Sequence, residues 1–282
     1  MYFGQLLILG LLAGAVLSLV AVGFTLVLGV AKVANFAHGA FVAVGMYIGY
    51  EAYVTWRLSP YLTLIPALGF FVLAGLATAE IFERRARKIG EVGELLVGLA
   101  LLLLINGLLV ALFTDNPRTL SGVSIGMVFV MGIGIPWTQL VAAISTFAIA
   151  GALYFTLRTS RWGRALRATA QDPMVAGLYG IRVPVARRAA LVLSIVVAGV
   201  AGILIAPFTV LTPEAGTTFL TSAFAVVVIG GIGSTAGAVT AGLVIGVIDA
   251  LTGGYLSSYW TTLAPLLIIL AYLMIRPKQV AF

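Results

Sequence analysis

The chain has no cysteine. Disulfides, thiolate nucleophiles and cysteine-ligated metals are therefore excluded. It has one histidine, His38, which cannot form a histidine cluster. Charge is scarce: 9% of its 282 residues are Asp, Glu, Lys or Arg, against 62% hydrophobic, with a mean hydropathy of +1.17. No hydrophilic stretch is long enough for a separate soluble domain. No segment fits G-x-x-x-x-G-K-[ST], so the chain carries no P-loop of its own. The N-terminal MYFGQLLILGLLAGAV lacks the positive n-region of a signal peptide and runs on as an apolar stretch, so it reads as a retained first span. The net charge of +7 does not point to nucleic acid, because the cations sit in short segments between apolar runs.

What is present is apolar sequence in long runs. This makes an all-α integral membrane protein, not a barrel. We read residues 1–282 as one transmembrane domain. Apolar runs fall at 4–31, 38–56, 61–82, 92–113, 137–157, 189–209, 218–230, 235–252 and 262–275, giving eight to nine helical segments, some broken or re-entrant. Residues 114–136, ending in VSIGMVFVMGIGIP, fit either a short hairpin or a partly inserted segment.

Orientation follows from lysine and arginine. Placing the 84–91 and 158–188 loops and the C-terminal tail inside collects Lys32, Arg84, Arg85, Arg87, Lys88, Arg158, Arg161, Arg164, Arg167, Arg182, Arg187, Arg188, Arg276 and Lys278 on one side. Only Arg57 and Arg118 remain outside. The positive-inside rule then sets the N-terminus outside and the C-terminus in the cytoplasm.

Two runs are broken by glycine. The run 218–230 ends in GGIGS at 230–234 before Thr235 resumes. A helix of about 12 residues rises only ~18 Å, against a hydrocarbon core of ~30 Å. Both flanks must lie outside, so this pair dips in and returns. The first run is followed by NFAHG at 35–39. Interrupted helices in two parts of a chain point to a transport pathway, and irregular backbone at that depth must be buried in protein or line water. Asn35, Phe36, His38, Gly39, Gly230, Gly231, Gly233 and Ser234 are the candidate pathway or gate residues. Small-residue pairs at Gly10/Gly14, Gly45/Gly49, Gly233/Gly237 and Gly242/Gly246 read as close helix packing within the subunit.

The arginine-rich island RWGRALRATAQDPMVAGLYGIR at 161–182 stands apart from the greasy remainder. Asp172-Pro173 reads as an N-cap and first helical residue, and Gly180 as a stop. Met174 and Leu178, and Val175 and Tyr179, stand four apart on neighbouring faces. A short capped helix with an apolar face outside the bilayer calls for a partner with a groove. We assign Arg164, Arg167, Asp172, Pro173, Met174, Val175, Leu178, Tyr179 and Gly180 to that docking element.

Single polar residues have plainer roles. His38 reads as a structural hydrogen-bonding residue, since no intramembrane acidic relay accompanies it. Asn106 reads as an interhelical hydrogen-bonding group, Asp249 as structural, and Glu80 as a partner of Arg84 one turn away. Trp56, Trp137 and Trp260 fit an interfacial belt at the outer boundary.

Four blocks together resemble the LivH-type permeases of branched-chain amino acid ABC importers: GFTLVLGVAKVANFAHGAF at 23–41, the Glu83-Arg84 step, RWGRALRATAQDPMVAGLYGI at 161–181, and VVVIGGIGSTAGAVTAGLVIGVIDAL at 226–251. The resemblance implies a fold related to the vitamin B12 and ribose importers. It implies a second homologous permease in a heterodimer, two cytoplasmic ATP-binding subunits, and an extracytoplasmic substrate-binding protein. The expected setting is the lipid bilayer of a bacterial or archaeal inner membrane, with no nucleic-acid partner. The expected role is half of an ATP-driven pathway for branched-chain or related amino acids, with no catalytic residue, metal or cofactor in this chain. Loaded binding protein would dock on outer loops including 210–217 and 253–261. Urea or short amides are the alternative cargo, and a secondary transporter the competing class.

Overall fold

The computed structural model describes residues 2–120, 123, 126–130 and 132–275. In chain order these form α1 (Tyr2–Leu26), extended by a π-helical turn at Val27–Ala31; α2 (Ala37–Trp56); α3 (Leu64–Ile81), extended by a second π turn at Phe82–Ala86; α4 (Arg87–Ile89); and α5 (Glu91–Phe113). A hairpin of β1 (Met127–Val130) and β2 (Ile133–Pro136) follows, then α6 (Trp137–Thr159), α7 (Arg161–Gln171), α8 (Pro173–Leu178) and α9 (Val183–Ile205). A 3₁₀ turn at Ala206–Phe208 leads to α10 (Ala215–Gly230), α11 (Thr235–Tyr255) and α12 (Ser258–Ile275).

Six helical stretches among the described residues are long and apolar enough to cross a membrane: Tyr2–Ala31, Leu64–Ile89, Glu91–Phe113, Trp137–Thr159, Val183–Phe208 and Thr235–Tyr255. α10 and Leu263–Ile275 are shorter apolar helices. α2 has 20 residues but is not one of the six. It carries His38, Glu51 and three tyrosines, and it tolerates them because protein surrounds it. Met46 and Tyr47 are buried in the same core as Phe24 of α1, Phe71 of α3 and Ile195 of α9. α1, α2 and α9 thus form the centre, while α5 and α6 expose most of their apolar surface.

Glycine sets how closely the central helices approach. A methyl on Gly14 would lie 2.8 Å from the Gly242 carbonyl, and one on Gly10 would lie 2.8 Å from Ala250 Cβ. Ser18 Oγ completes this α1–α11 crossing, 2.7 Å from Gly14 O and 3.1 Å from Val239 O. Gly45 abuts Gly199 of α9, and Gly237 abuts the Gly230 carbonyl. The small-residue pairs therefore pack inside the subunit, where close backbone contact replaces the missing hydrophobic drive between helices in lipid.

The structure corrects several boundaries. The basic stretch 84–88, expected in a loop, is helical through the π turn and α4. Ion pairs between Glu80 and Arg84 and between Glu83 and Arg87 (2.8 Å) support it, and Gly90 at φ +93° ends it. Glu80 also reaches Arg188 of α9 at 3.3 Å. Arg161–Gln171, expected in the 158–188 loop, is an 11-residue helix. α10 starts at Ala215, earlier than the run suggested, and its 16 residues rise about 24 Å, still short of a full core. Residues 253–261 are nearly all helical, with only Leu256 and Ser257 joining α11 to α12. Within 114–136, Arg118 bridges Leu211 antiparallel, and the hairpin runs in register Met127↔Pro136 to Val130↔Ile133. Gly132 at φ +81° allows its tight reversal. The C-terminal Arg276 and Lys278 lie outside the described residues.

Candidate coupling and gating site

The first break begins where the π turn ends. Lys32 takes a left-handed conformation at φ +55° and ends the helical run. Asn35 is fully buried, and its Oδ1 accepts from the Ala37 amide at 3.1 Å. The His38 amide donates to Asn35 O at 3.1 Å. Asn35 thus satisfies backbone groups at the start of α2. The His38 ring, also fully buried, has Nε2 3.0 Å from Val20 O and Nδ1 2.8 Å from Ser194 Oγ. A carbonyl only accepts, so Nε2 donates and Nδ1 receives the serine hydroxyl proton. The histidine thereby ties α2 to α1 and α9. Phe36 is half-buried; a methyl on Gly98 of α5 would lie 3.1 Å from its amide. Gly39 meets Gly216 of α10, where a methyl would come within 2.7 Å of Leu220 Cβ.

The second break is built on two left-handed glycines, Gly231 at φ +90° and Gly233 at φ +83°. Gly230 ends α10, and Ser234 caps α11, its Oγ accepting from the Gly237 amide at 3.0 Å. The two breaks are joined through α1. The Gly233 amide donates to Thr25 Oγ1 at 2.8 Å, and a methyl on Gly29 would lie 2.8 Å from Gly233 Cα. Thr25 and Gly29 were not singled out in the sequence. The available signal was one hydroxyl in the apolar GFTLVLG stretch, four residues before a glycine. Beside this junction lies a cavity of about 340 Å³ lined by residues including Thr25, Val30, Arg158, Arg167, Gly233 and Thr235.

α7 and α8 sit at the same end of the molecule. Ser160 caps α7, its Oγ accepting from the Gly163 amide at 2.9 Å. Gly163 is needed because a side chain there would strike the Leu157 carbonyl. Arg164 donates to Thr159 O at 2.9 Å, and Arg167 donates to Leu157 O and to Arg158 O (3.3 Å). These two arginines occupy the last carbonyls of α6, a favourable place for cations. They lock the α6–α7 joint and do not share the exposed ridge of α8. Leu166 of α7 packs with Leu26, Val30 and Leu157 and with Ala186 and Ala190 of α9. The joint therefore rests directly on the π turn of the first break.

α8 is capped at both ends. Asp172 Oδ1 accepts from the Met174 and Val175 amides at 2.8 and 3.0 Å, with Pro173 at the first position. At the other end Ile181 N bonds Ala176 O (3.1 Å) and Gly180 N bonds Gly177 O (3.0 Å), with Gly180 at φ +81°. This is a Schellman stop. Ala176 faces the protein, while Met174, Leu178 and Tyr179 are 79%, 83% and 84% exposed and Val175 is 44% exposed. The six-residue helix thus leaves an apolar ridge uncovered. α8 follows α7, whose Leu166 packs with Val30 in the π turn that follows Thr25.

Comparison with known proteins agrees in extent. The family of branched-chain amino acid transport system permease components matches residues 6–274. The chain is 30% identical to the high-affinity branched-chain amino acid transport system permease protein LivH of Salmonella typhimurium, covering 99% of this chain and 96% of that one. It is 28% identical to the corresponding permease BraD of Pseudomonas aeruginosa, covering 99% and 95%. PsaBC from Streptococcus pneumoniae, solved in complex with a Fab, shares the fold at a TM-score of 0.54 and 13% identity, over 96% of this chain and 92% of that chain. With its apolar helices, this makes the chain a multi-pass inner-membrane permease subunit of an ABC importer. It belongs to the family of branched-chain amino acid transport system permease components.

Proposed function

We propose that this permease supplies half of the translocation pathway for branched-chain or related amino acids, and that α8 is the element through which cytoplasmic ATPases drive it. The observation that carries the coupling reading is the capped α8 with Met174, Leu178 and Tyr179 uncovered at one end of the molecule. An ATPase groove receives this ridge. ATP-driven closure moves α8, α7 transmits the displacement through Leu166 and Val30, and the two breaks rearrange. Asn35, Phe36, His38 and Gly39, with Gly230, Gly231, Gly233 and Ser234, form the moving part of the pathway. Arg164 and Arg167 keep α6 and α7 moving together. Asp172, Pro173 and Gly180 hold α8 in shape, and Val175 widens its docking face.

In this reading residues 1–282 form one permease unit of eight to nine helical segments, related to the vitamin B12 and ribose importer permeases. The N-terminus lies outside and the end bearing α7 and α8 in the cytoplasm. A second, homologous permease completes the pathway as a heterodimer, two ATPases bind beneath, and an extracytoplasmic binding protein delivers cargo. The amino acid's charges are handled chiefly by that protein, because His38 has both ring nitrogens engaged within the subunit.

Reconstitution tests this. Proteoliposomes holding this permease, its homologous partner, two ATPases and external binding protein should take up radiolabelled leucine only with ATP inside. Uptake by the permease alone, driven by a proton gradient without ATP, would establish the secondary-transporter class. Uptake of urea or acetamide in place of leucine would reassign the cargo.

A further inference from the structure

A second surface at the α7–α9 end is unused by this mechanism. A groove of about 340 Å³ runs between α7 and the first turn of α9, lined by Arg161, Trp162, Ala165, Ile181, Arg182 and Val185, with Ala186. Its floor is apolar, and two guanidinium groups stand in its lining. Trp162 is 61% exposed. The α8 ridge contributes nothing to this groove, so it is distinct from the proposed ATPase contact.

We propose that this groove binds an anionic phospholipid of the cytoplasmic leaflet, its phosphate between Arg161 and Arg182 and an acyl chain along Ala165, Ile181, Val185 and Ala186. Three observations select this occupant. First, the charge is uncompensated. Residues 158–188 hold seven arginines and one acid, Asp172, which is committed to capping α8. The ion pairs among the described residues are Glu80 with Arg84 and Arg188, and Glu83 with Arg87, so no carboxylate pairs with Arg161 or Arg182. Second, the depth fits. The groove sits where α9, a candidate membrane span, begins at Val183, which is headgroup level for a spanning helix. Third, the chemistry is that of an interface. An exposed tryptophan flanked by arginines over an apolar floor matches an amphipathic lipid, and a wholly polar anion would leave the floor wet. A lipid held here braces α7 against α9. It thereby sets the angle at which α8 is presented.

The inference rests on the membrane orientation proposed above, but its test needs neither orientation nor transport. The full-length permease pair would be placed in nanodiscs of phosphatidylcholine mixed with phosphatidylglycerol and examined by native mass spectrometry. The parent should retain phosphatidylglycerol selectively. The double variant Arg161→Gln, Arg182→Gln should lose about thirtyfold in that selectivity, at roughly a factor of five per arginine near the surface. Arg161→Lys, Arg182→Lys should keep most of it, which separates lost charge from lost fold. Undiminished retention in the glutamine variant would overturn the proposal. So would a glutamine variant whose main defect, in discs of phosphatidylcholine alone, is failure to bind the ATPases, since the groove would then be part of the ATPase contact.

Discussion

The amide of Gly233 donates to the hydroxyl of Thr25 at 2.8 Å, joining segments 208 residues apart. The bond fastens the second helix break to the helix that carries the first. Thr25→Val removes the acceptor while keeping the shape, and leaves the amide unsatisfied in a half-buried place. The expected cost is about 1–3 kcal/mol. Hydrogen exchange at the Gly233 amide should quicken by roughly a factor of five to a hundred. Thr25→Ser should leave exchange near the parental rate. Unchanged exchange in Thr25→Val would mean that the two breaks are not fastened here.

The α1–α11 crossing should tolerate no added volume. Gly14→Val and Gly246→Val each drive a side chain into backbone on the facing helix. Each should destabilise the permease by about 1–3 kcal/mol, and more where the backbone cannot shift. Gly151, with open space around it, provides the control: Gly151→Ala should be neutral or slightly stabilising. Thermal unfolding in detergent, followed by size exclusion, checks all three.

His38 should act through hydrogen bonds and not through charge. His38→Leu leaves Ser194 Oγ and Val20 O without their partner, at roughly 1–3 kcal/mol for each group. His38→Gln can restore part of the pattern. The expected results are low yield or poor uptake in the leucine variant and substantial ATP-driven uptake in the glutamine variant. Uptake measured against pH should give parallel profiles in parent and His38→Gln. A proton-driven component lost specifically with the histidine would contradict the structural role.

The caps of α8 should matter more than their exposure suggests, because a six-residue helix has few bonds to spare. Asp172→Ala should cost about 1 kcal/mol of local stability. Gly180→Ala should cost about 1–2 kcal/mol through its left-handed backbone. Both should lower uptake per ATP hydrolysed while leaving membrane insertion intact. Asp172→Asn, which can still cap, should stay near parental coupling.

Much of this site could be read from residues. Asp172-Pro173 and Gly180 act through local backbone chemistry, so their roles are visible in a short window. The GGIGS break is equally local, since left-handed backbone calls for glycine. α7 was harder to see. Its arginines looked like loop charge, yet Arg164 and Arg167 bond the end of α6, a partner no linear window supplies. The Glu80–Arg84 pair was legible as one helical turn, and the structure shows it, but the helix runs on through 84–88, where Glu83–Arg87 pairing offsets the basic charge that suggested a loop. α2 read as an ordinary span, but its polar residues are tolerated because α9, α5 and α10 pack around it. The Thr25–Gly233 junction depends on tertiary contact alone and had no signature beyond one hydroxyl among apolar neighbours.

The most direct test of the central claim, that α8 transmits ATP hydrolysis to the pathway, is uptake and ATPase activity measured side by side in the Met174→Asp, Leu178→Asp double variant. Both side chains are exposed, so the variant should fold and insert normally. Placing two carboxylates on the docking ridge should abolish ATP-driven leucine uptake and the stimulation of ATPase activity by loaded binding protein. Parental uptake with parental stimulation in that variant would contradict the account.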